Sequence, residues 1–248
     1  MAIQSRALPR ALPVLLTRPQ PQADRFAAQM AARFGESVAP VISPLLAPRF
    51  LTPQIPAGAA ALILTSETGV QAAARLRQDG AALPARAFCV GDRTAQAAAQ
   101  AGFAATSAEG DAGALVALIL RLRPEGPLLH LHGEETRGDV AARLSAAGIE
   151  TLSLCVYGQQ AQALSPAATT LLAGRAAVAV PLFSPRSARL FVAVAAGAAA
   201  PLHLAAISPA AAAEAAPLAR ASLVIAARPG AAAMLDALAA ILAALPAA

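Results

Sequence analysis

The sequence predicts an α/β protein built from two similar domains, each a parallel sheet covered by helices, with one domain inserted in the other. Short apolar runs alternate with alanine-rich helical stretches along most of the chain, which is typical of parallel sheets with helices on both faces. Residues 61–76 have the pattern of a strand, a polar turn and a helix. The same pattern returns at residues 179–194, so that Ser184 follows Ser66 by 118 positions. This internal repeat predicts two related halves.

The domain boundaries follow from where the alternation stops. Four prolines interrupt residues 36–53 and exclude a helix there. The last part of the chain lacks a first strand and helix of its own, and residues 13–35 can supply them. Each domain is therefore expected to be a three-layer, flavodoxin-like unit. We expect residues 1–36 and 164–248 to form domain one, residues 54–149 to form the inserted domain two, and residues 37–53 and 150–163 to form a two-stranded hinge.

Composition limits the functional classes. Much of the 57% hydrophobic content is alanine, and no apolar run approaches the roughly 20 residues that span a bilayer. Residues 1–13 contain Arg6 and Arg10 but lack the apolar core of a signal peptide, so we expect a soluble, cytoplasmic monomer. The net charge is +5 and every basic residue is arginine, but the arginines are dispersed and aromatic residues make up only 3%. Without a stacking platform or basic stripe, nucleic-acid binding is not expected.

Cysteine and histidine give no sign of a metal or redox centre. Cys89 and Cys155 fall within predicted strands and are expected to be buried small apolar groups. His130 and His132 would lie on one face of a strand near a loop edge, but no cysteine or carboxylate at a suitable spacing accompanies them. We therefore expect no metal site.

Hydroxyl and arginine side chains follow the predicted strands, at the turns where the next helices begin. In open parallel sheets, ligands bind outside the carboxyl ends of the strands, and helix N-termini attract anions. Taken singly, these residues are typical helix caps and surface charges. As a set on one edge of each sheet, they favour an anionic ligand between the domains. The candidate binding residues are Thr17, Arg18, Ser66, Thr68, Thr94, Arg137, Ser184 and Ser208.

Tyr157 is the only tyrosine and lies in the second extended segment, at the predicted domain border. It could be a half-buried aromatic residue of the hinge or a phenolic proton donor. The sequence contains no GxSxG, GxGxxG or GxxxxGK[ST] pattern, so neither an acyl-enzyme nor a nucleotide site is predicted.

These features resemble the uroporphyrinogen-III synthase family over almost the whole chain from Pro13. Each matching motif is short, but their order and spacing agree with an interrupted two-domain layout. The motifs are LTRP (16–19), LTSETGV (64–70), VGDRTA (90–95), the glycine and arginine of HGEETR (132–137), VY (156–157) and FSP (183–185).

The resemblance implies a lyase of tetrapyrrole and haem biosynthesis that cyclises hydroxymethylbilane, a linear polycarboxylate, to uroporphyrinogen III in the interdomain cleft without a cofactor. The terminal hydroxyl leaves to give an azafulvene. The last ring then attacks through its substituted carbon, and a spiro intermediate fragments and recloses with that ring inverted. By matching position, Tyr157 is expected to assist hydroxide loss, while Thr94, Ser66 and Ser184 bind carboxylates. A substrate carboxylate could serve as the acid instead.

Three positions depart from the family pattern. Ser208 and Ala211 replace the usual glycine and threonine of a turn, and Thr68 stands at a usual asparagine. An inactive relative of the synthase therefore stays open as an alternative. So does a non-catalytic, two-lobed cytosolic sensor protein that binds a small polyanion.

Overall fold

The computed structural model describes residues 11–135 and 138–245. Arg137, one of the predicted binding residues, lies outside the described residues. The same is true of residues 1–10, which contributed to the predicted cytoplasmic location. Within the described ranges, every helix is too short or too polar to cross a membrane.

Eleven strands lie within the described residues, and most are the short apolar runs of the sequence. In chain order they are β1 (Leu12–Leu16), β2 (Val38–Ile42), β3 (Leu46–Phe50), β4 (Ala61–Leu64), β5 (Arg86–Cys89), β6 (Ala104–Ser107), β7 (Leu128–Gly133), β8 (Thr151–Ala161), β9 (Val178–Leu182), β10 (Leu202–Ala206) and β11 (Ser222–Ile225).

Nine α-helices lie within the same residues, and the alanine-rich stretches form most of them, as the helix propensity of alanine favours. They are α1 (Gln20–Phe34), α2 (Glu67–Gln78), α3 (Asp92–Gln100), α4 (Ala112–Leu122), α5 (Val140–Ala146), α6 (Pro166–Ala173), α7 (Pro185–Ala195), α8 (Pro209–Glu214) and α9 (Ala231–Ala244).

The chain forms two compact units. Unit 1 contains the described residues up to Ala47 and those from Ala161 onward. Its sheet has the order β2-β1-β9-β10-β11, and its paired strands are parallel. One apolar cluster packs α1 and α9 against one face, and a second packs α6 and α7 against the other. Unit 1 is therefore a three-layer α/β unit.

Unit 2 spans Pro48–Gln160. Its strands belong to a sheet of order β3-β8-β7-β4-β5-β6, in which β4 to β8 pair in parallel. Helices α2 and α3 cover one face, and α4 and α5 cover the other. The edge strand β3 runs antiparallel to β8, because the backbone N–H of Leu51 donates to Val156 O and that of Gln162 donates to Leu45 O.

The predicted α/β fold with two parallel-dominated sheets is confirmed. Residues 37–53, expected to be extended and to form one strand of the two-stranded hinge, contain two strands, β2 and β3. Proline did not prevent this, because both are edge strands, where a missing N–H can face away from the ladder. Pro40, for example, is exposed. The predicted domain boundaries and the hinge stay predictions.

Each sheet has one position where the strand order reverses. In unit 1 it lies between β1 and β9, whose following helices pack on opposite faces of the sheet. In unit 2 it lies between β4 and β7, followed by α2 and α5 on opposite faces. Loops diverge at such a switch point and leave a crevice outside the carboxyl ends of the strands, where open α/β sheets bind ligands.

Candidate functional site

A hydrogen bond between two hydroxyl groups lies at the switch point of unit 2. Ser66 Oγ is 2.9 Å from the phenolic oxygen of Tyr157, although the residues are 91 positions apart. Ser66 ends the turn after β4 and is the N-cap of α2, where its Oγ accepts a hydrogen bond from Gly69 N at 3.0 Å. The phenol of Tyr157 is therefore held at the amino terminus of a helix, where partial positive charge favours anions.

A β-bulge aims Tyr157 at Ser66. In the pairing of β7 with β8, His132 lies opposite Cys155, but the next residue of β7, Gly133, lies opposite Tyr157. Val156 is thus an extra residue in β8. Side chains alternate between the faces of a regular strand, whereas Val156 and Tyr157 both pack on the face covered by α2 and α3. The bulge has turned Tyr157 onto that face, as bulges near functional sites often do.

Gly133 makes room for the tyrosine ring. A Cβ atom on Gly133 would lie 2.5 Å from Cε2 and 2.6 Å from Cζ of Tyr157, far inside van der Waals contact. The next residue fixes the tyrosine backbone, because the N–H of Glu134 donates to Tyr157 O at 3.0 Å. Tyr157 is therefore held at its ring, its hydroxyl and its carbonyl.

Beside the tyrosine, Gly158 leaves space for a carboxylate. Both Oε atoms of Glu134 lie 2.6 Å from the position that a Cβ on Gly158 would occupy. The Glu134 carboxylate accepts a hydrogen bond from the guanidinium of Arg49 at 3.3 Å, and both side chains are about half exposed, at 52% and 55%. A charged pair therefore borders the tyrosine in β8.

At the switch point of unit 1, a buried hydroxyl has no hydrogen-bond partner in the part of the chain that the structure describes. Thr17 follows β1 and is 2% exposed, and its Oγ1 is unpaired. The guanidinium of the next residue, Arg18, lies over the ring of Phe183, 3.9 Å from its centroid. Phe183 follows β9 and meets Phe26 edge to face at 4.8 Å. An arginine and an unpaired hydroxyl therefore follow β1, next to the end of the neighbouring strand β9.

The predicted serines of unit 1 cap helices. Ser184 Oγ accepts from Ser187 N at 3.0 Å, and Ser187 Oγ accepts from Ser184 N at 3.1 Å, which together form a capping box at α7. Ser208 Oγ accepts from Ala211 N at 3.3 Å at the start of α8. Both hydroxyl groups have local partners, yet each stands at a helix N-terminus with further N–H groups.

The structure brings the predicted residues together in two groups, one in each unit. Ser66 and Tyr157 contact each other in unit 2, while Thr17, Arg18 and Ser184 lie at the ends of adjacent strands in unit 1. Thr68 is half-buried in the first turn of α2, and Thr94 is buried in the first turn of α3.

Two glycines and a serine near these groups were not predicted as functional residues. Gly133 stands within a motif of the resemblance, but its contact with Tyr157 depends on the bulge. Gly69 donates to Ser66 Oγ, as an N-cap at Ser66 could have suggested. The sequence could have predicted the capping box, since a second serine, Ser187, stands three residues after Ser184.

The three histidines and two cysteines lie within strands, and the Cys155 thiol donates to the backbone oxygen of Tyr157 at 3.6 Å. His130 is buried within β7 rather than at a loop edge, on the face opposite Leu129 and Leu131. Burial, with a smaller contribution from the charge of His132, lowers the pKa of His130 from 6.5 to about 4. Burial also raises the pKa of the Cys89 thiol to about 11. Cys89 is buried as expected, but Cys155, which was also expected to be buried, is only half-buried. No group of three or more potential metal ligands occurs among the described residues.

A family model for uroporphyrinogen-III synthase HemD matches residues 24–236. The chain belongs to the uroporphyrinogen-III synthase family. This confirms the family that the sequence motifs resemble, and with it a lyase of tetrapyrrole and haem biosynthesis that acts on a small-molecule tetrapyrrole.

Solved structures of uroporphyrinogen-III synthases are similar to the chain. The crystal structure of the Helicobacter pylori 26695 synthetase has a TM-score of 0.59 and 15% identity, covering 93% of this chain and 99% of that one. This likeness supports the two-domain α/β fold. A mutant synthase from the extremely thermophilic bacterium Thermus thermophilus has a TM-score of 0.42 and 16% identity, with coverages of 93% and 97%. No curated protein sequence matches the chain.

Proposed function

We propose that this chain closes hydroxymethylbilane to uroporphyrinogen III with inversion of the last pyrrole ring, and that Tyr157 is the acid that assists loss of the terminal hydroxyl. One observation carries the role of Tyr157. The only phenol of the chain lies at the switch point of unit 2, hydrogen-bonded to the serine that caps α2. A positioned donor of this kind can transfer a proton to a leaving group.

The proposed reaction conserves protons. Tyr157 donates its proton to the terminal hydroxyl, and the C–O bond breaks with both electrons on oxygen. Water departs, and the substrate becomes an azafulvene cation. The last ring attacks this cation through its substituted carbon to form the spiro intermediate. That intermediate fragments and recloses with the ring inverted. Loss of a proton restores the aromatic pyrrole and returns the proton to the phenolate, so the net change is release of one water.

The protein's main task is to favour the inverted closure over the spontaneous one. We propose that the substrate's carboxylates bind at the turns following the strands, where hydroxyl groups and helix N-termini can donate to them. Thr17 supports this, because its buried Oγ1 has no partner among residues 11–135 and 138–245. The proposed binding residues are Thr17, Arg18, Ser66, Thr68, Thr94, Arg137, Ser184 and Ser208.

Three expectations stay predictions beside this proposal. They are a shared cleft with its two-stranded hinge, a cytoplasmic location and a monomeric state.

An assay that supplies freshly made hydroxymethylbilane tests the proposal. The wild-type chain should enrich isomer III over the isomer I that forms spontaneously. The unchanged spontaneous mixture would instead identify an inactive relative or a simple anion-binding protein. Tyr157→Phe keeps the ring and removes the proton, so kcat should fall by about 100-fold, the lower range for a lost general acid. Full activity of this variant would remove Tyr157 from the mechanism.

A further inference from the structure

We infer that Ser66 is a positioning residue for Tyr157. In this role it directs the phenolic proton away from itself, toward substrate, and stabilises the phenolate oxygen that remains after proton transfer. The inference rests on the proposed function, because it assigns Ser66 a role through Tyr157. For Ser66 it replaces the role proposed above, in which its hydroxyl binds a substrate carboxylate directly.

The hydrogen atoms of the pair can be counted. Ser66 Oγ carries one hydrogen and two acceptor lone pairs, and one lone pair accepts from Gly69 N at 3.0 Å. Two arrangements with Tyr157 are then possible across the 2.9 Å contact. If Tyr157 donates to Ser66, the phenolic proton is engaged in that hydrogen bond and is not directed at the leaving hydroxyl. If Ser66 donates to Tyr157, the phenolic O–H is free to donate to the leaving hydroxyl.

Proton transfer selects the second arrangement. Once Tyr157 has given its proton to the leaving hydroxyl, its oxygen is negative and only accepts hydrogen bonds, so Ser66 must be the donor. The donor strength of Ser66 is increased because its own oxygen accepts from Gly69 N, and hydrogen bonds in a chain polarise one another. This series of hydrogen bonds starts at the amino terminus of the 12-residue helix α2, whose dipole favours negative charge nearby.

Ser66 differs from the other serine caps of the described residues. The hydroxyls of Ser165, Ser184 and Ser208 accept from N–H groups three positions ahead in their own helices. Ser66 does so too, but it also bonds to a side chain 91 positions away. A cap alone does not require this second bond. Because Gly133 and the bulge bring the phenol to this hydroxyl, the contact is produced by several independent features.

The chain contains one tyrosine and no tryptophan, so its near-ultraviolet circular dichroism and tyrosine emission report on Tyr157 without labelling. We compare Ser66→Ala, which removes the hydroxyl, with Ser66→Thr, which keeps it. Ser165→Ala is the matched control, because it removes a serine cap from α6 without touching a tyrosine.

Ser66→Ala should change both tyrosine spectra in the substrate-free protein and lower kcat about tenfold, with a smaller change in KM, because a misplaced reacting group loses rate. Ser66→Thr should restore the spectra and most of kcat. Ser165→Ala should resemble wild type in both.

The outcomes separate this inference from the proposed function. Wild-type tyrosine spectra in Ser66→Ala would overturn it, as would an effect mainly on KM, which would indicate direct substrate binding. Wild-type kcat in Ser66→Ala together with a slow Tyr157→Phe would overturn the inference alone. Full kcat in Tyr157→Phe would overturn the proposed role of Tyr157, and the role of Ser66 would fall with it.

Discussion

The switch points of the two units differ in how their polar groups are satisfied. In unit 2, Ser66 and Tyr157 bond to each other, and Gly133 fits beneath the ring. In unit 1, Thr17 is buried with an unpaired Oγ1, while Ser184 is committed to its capping box. Similar sheets thus support a pre-positioned phenol in one unit and an unpaired hydroxyl in the other. Under the proposed function this difference corresponds to a division between chemistry and binding, because a reacting group needs a fixed geometry and a binding group needs a free hydrogen-bonding position.

The largest effect is expected from filling the space under Tyr157. In Gly133→Ala, the new Cβ would lie 2.5 Å from the tyrosine ring, so the ring must move away from Ser66. We expect kcat to fall by about 100-fold, the scale of a misplaced reacting group. Gly197→Ala in unit 1 is the control, since its Cβ would meet nothing within 4 Å, and its kcat should match wild type.

Equal kcat values in these two variants would contradict a fixed tyrosine and remove the contrast between the units. A thermal melt of each variant distinguishes a displaced ring from an unfolded unit.

The second-largest effect is expected on the pH dependence of stability, through the buried His130. Burial, and then the charge of His132, lowers the pKa of His130 from 6.5 to about 4, so between these values the unfolded chain binds a proton that the folded chain does not. Stability is therefore complete above about pH 6.5 and falls as the pH approaches 4, by about 2 kcal/mol at about pH 5. His130→Leu should remove this loss, as measured by urea unfolding at about pH 8 and about pH 5.

His203 of unit 1 provides the comparison for this prediction. Burial also lowers its pKa, but the ring is half-buried and bonds to Ser222 Oγ at 2.8 Å. His203→Leu should therefore change the pH dependence less than His130→Leu. The opposite ranking would show that His130 is charged or solvated in the folded protein.

The smallest effects are expected from removing the hydroxyl groups of Thr17 and Ser184 in unit 1, which should change the free energy of unfolding in different ways. Ser184→Ala breaks the capping box of α7 and should lower the free energy of unfolding by about 1 kcal/mol. Thr17→Val removes a buried hydroxyl without a partner, so the free energy of unfolding should stay the same or rise by up to about 1 kcal/mol. If Thr17 binds a carboxylate, KM should rise in the same variant.

Urea unfolding and steady-state kinetics on these two variants check the pair of predictions. A loss of stability in Thr17→Val would mean that its hydroxyl has a partner in solution. An unchanged KM would remove Thr17 from the proposed binding residues.

Much of the fold followed from local patterns. The alternation of apolar runs and alanine-rich stretches predicted an alternation of strands and helices, which both units have. The serines at helix starts were predicted as caps, and Ser66, Ser184 and Ser208 are caps. These features depend on contacts within about one helical turn, so the order of nearby residues is enough to predict them.

The tyrosine site depended on contacts between distant segments. The pattern singled out Tyr157 as the only tyrosine, but a regular strand would have turned it to the opposite face, and the bulge at Val156 reverses this. The pairing of Ser66 with Tyr157, the burial of His130 and the fit of Gly133 likewise arise where β4, β7 and β8 meet. Strand register is set by the packing of a whole sheet face. That packing depends on residues far apart in the chain, so no local stretch of sequence specifies it.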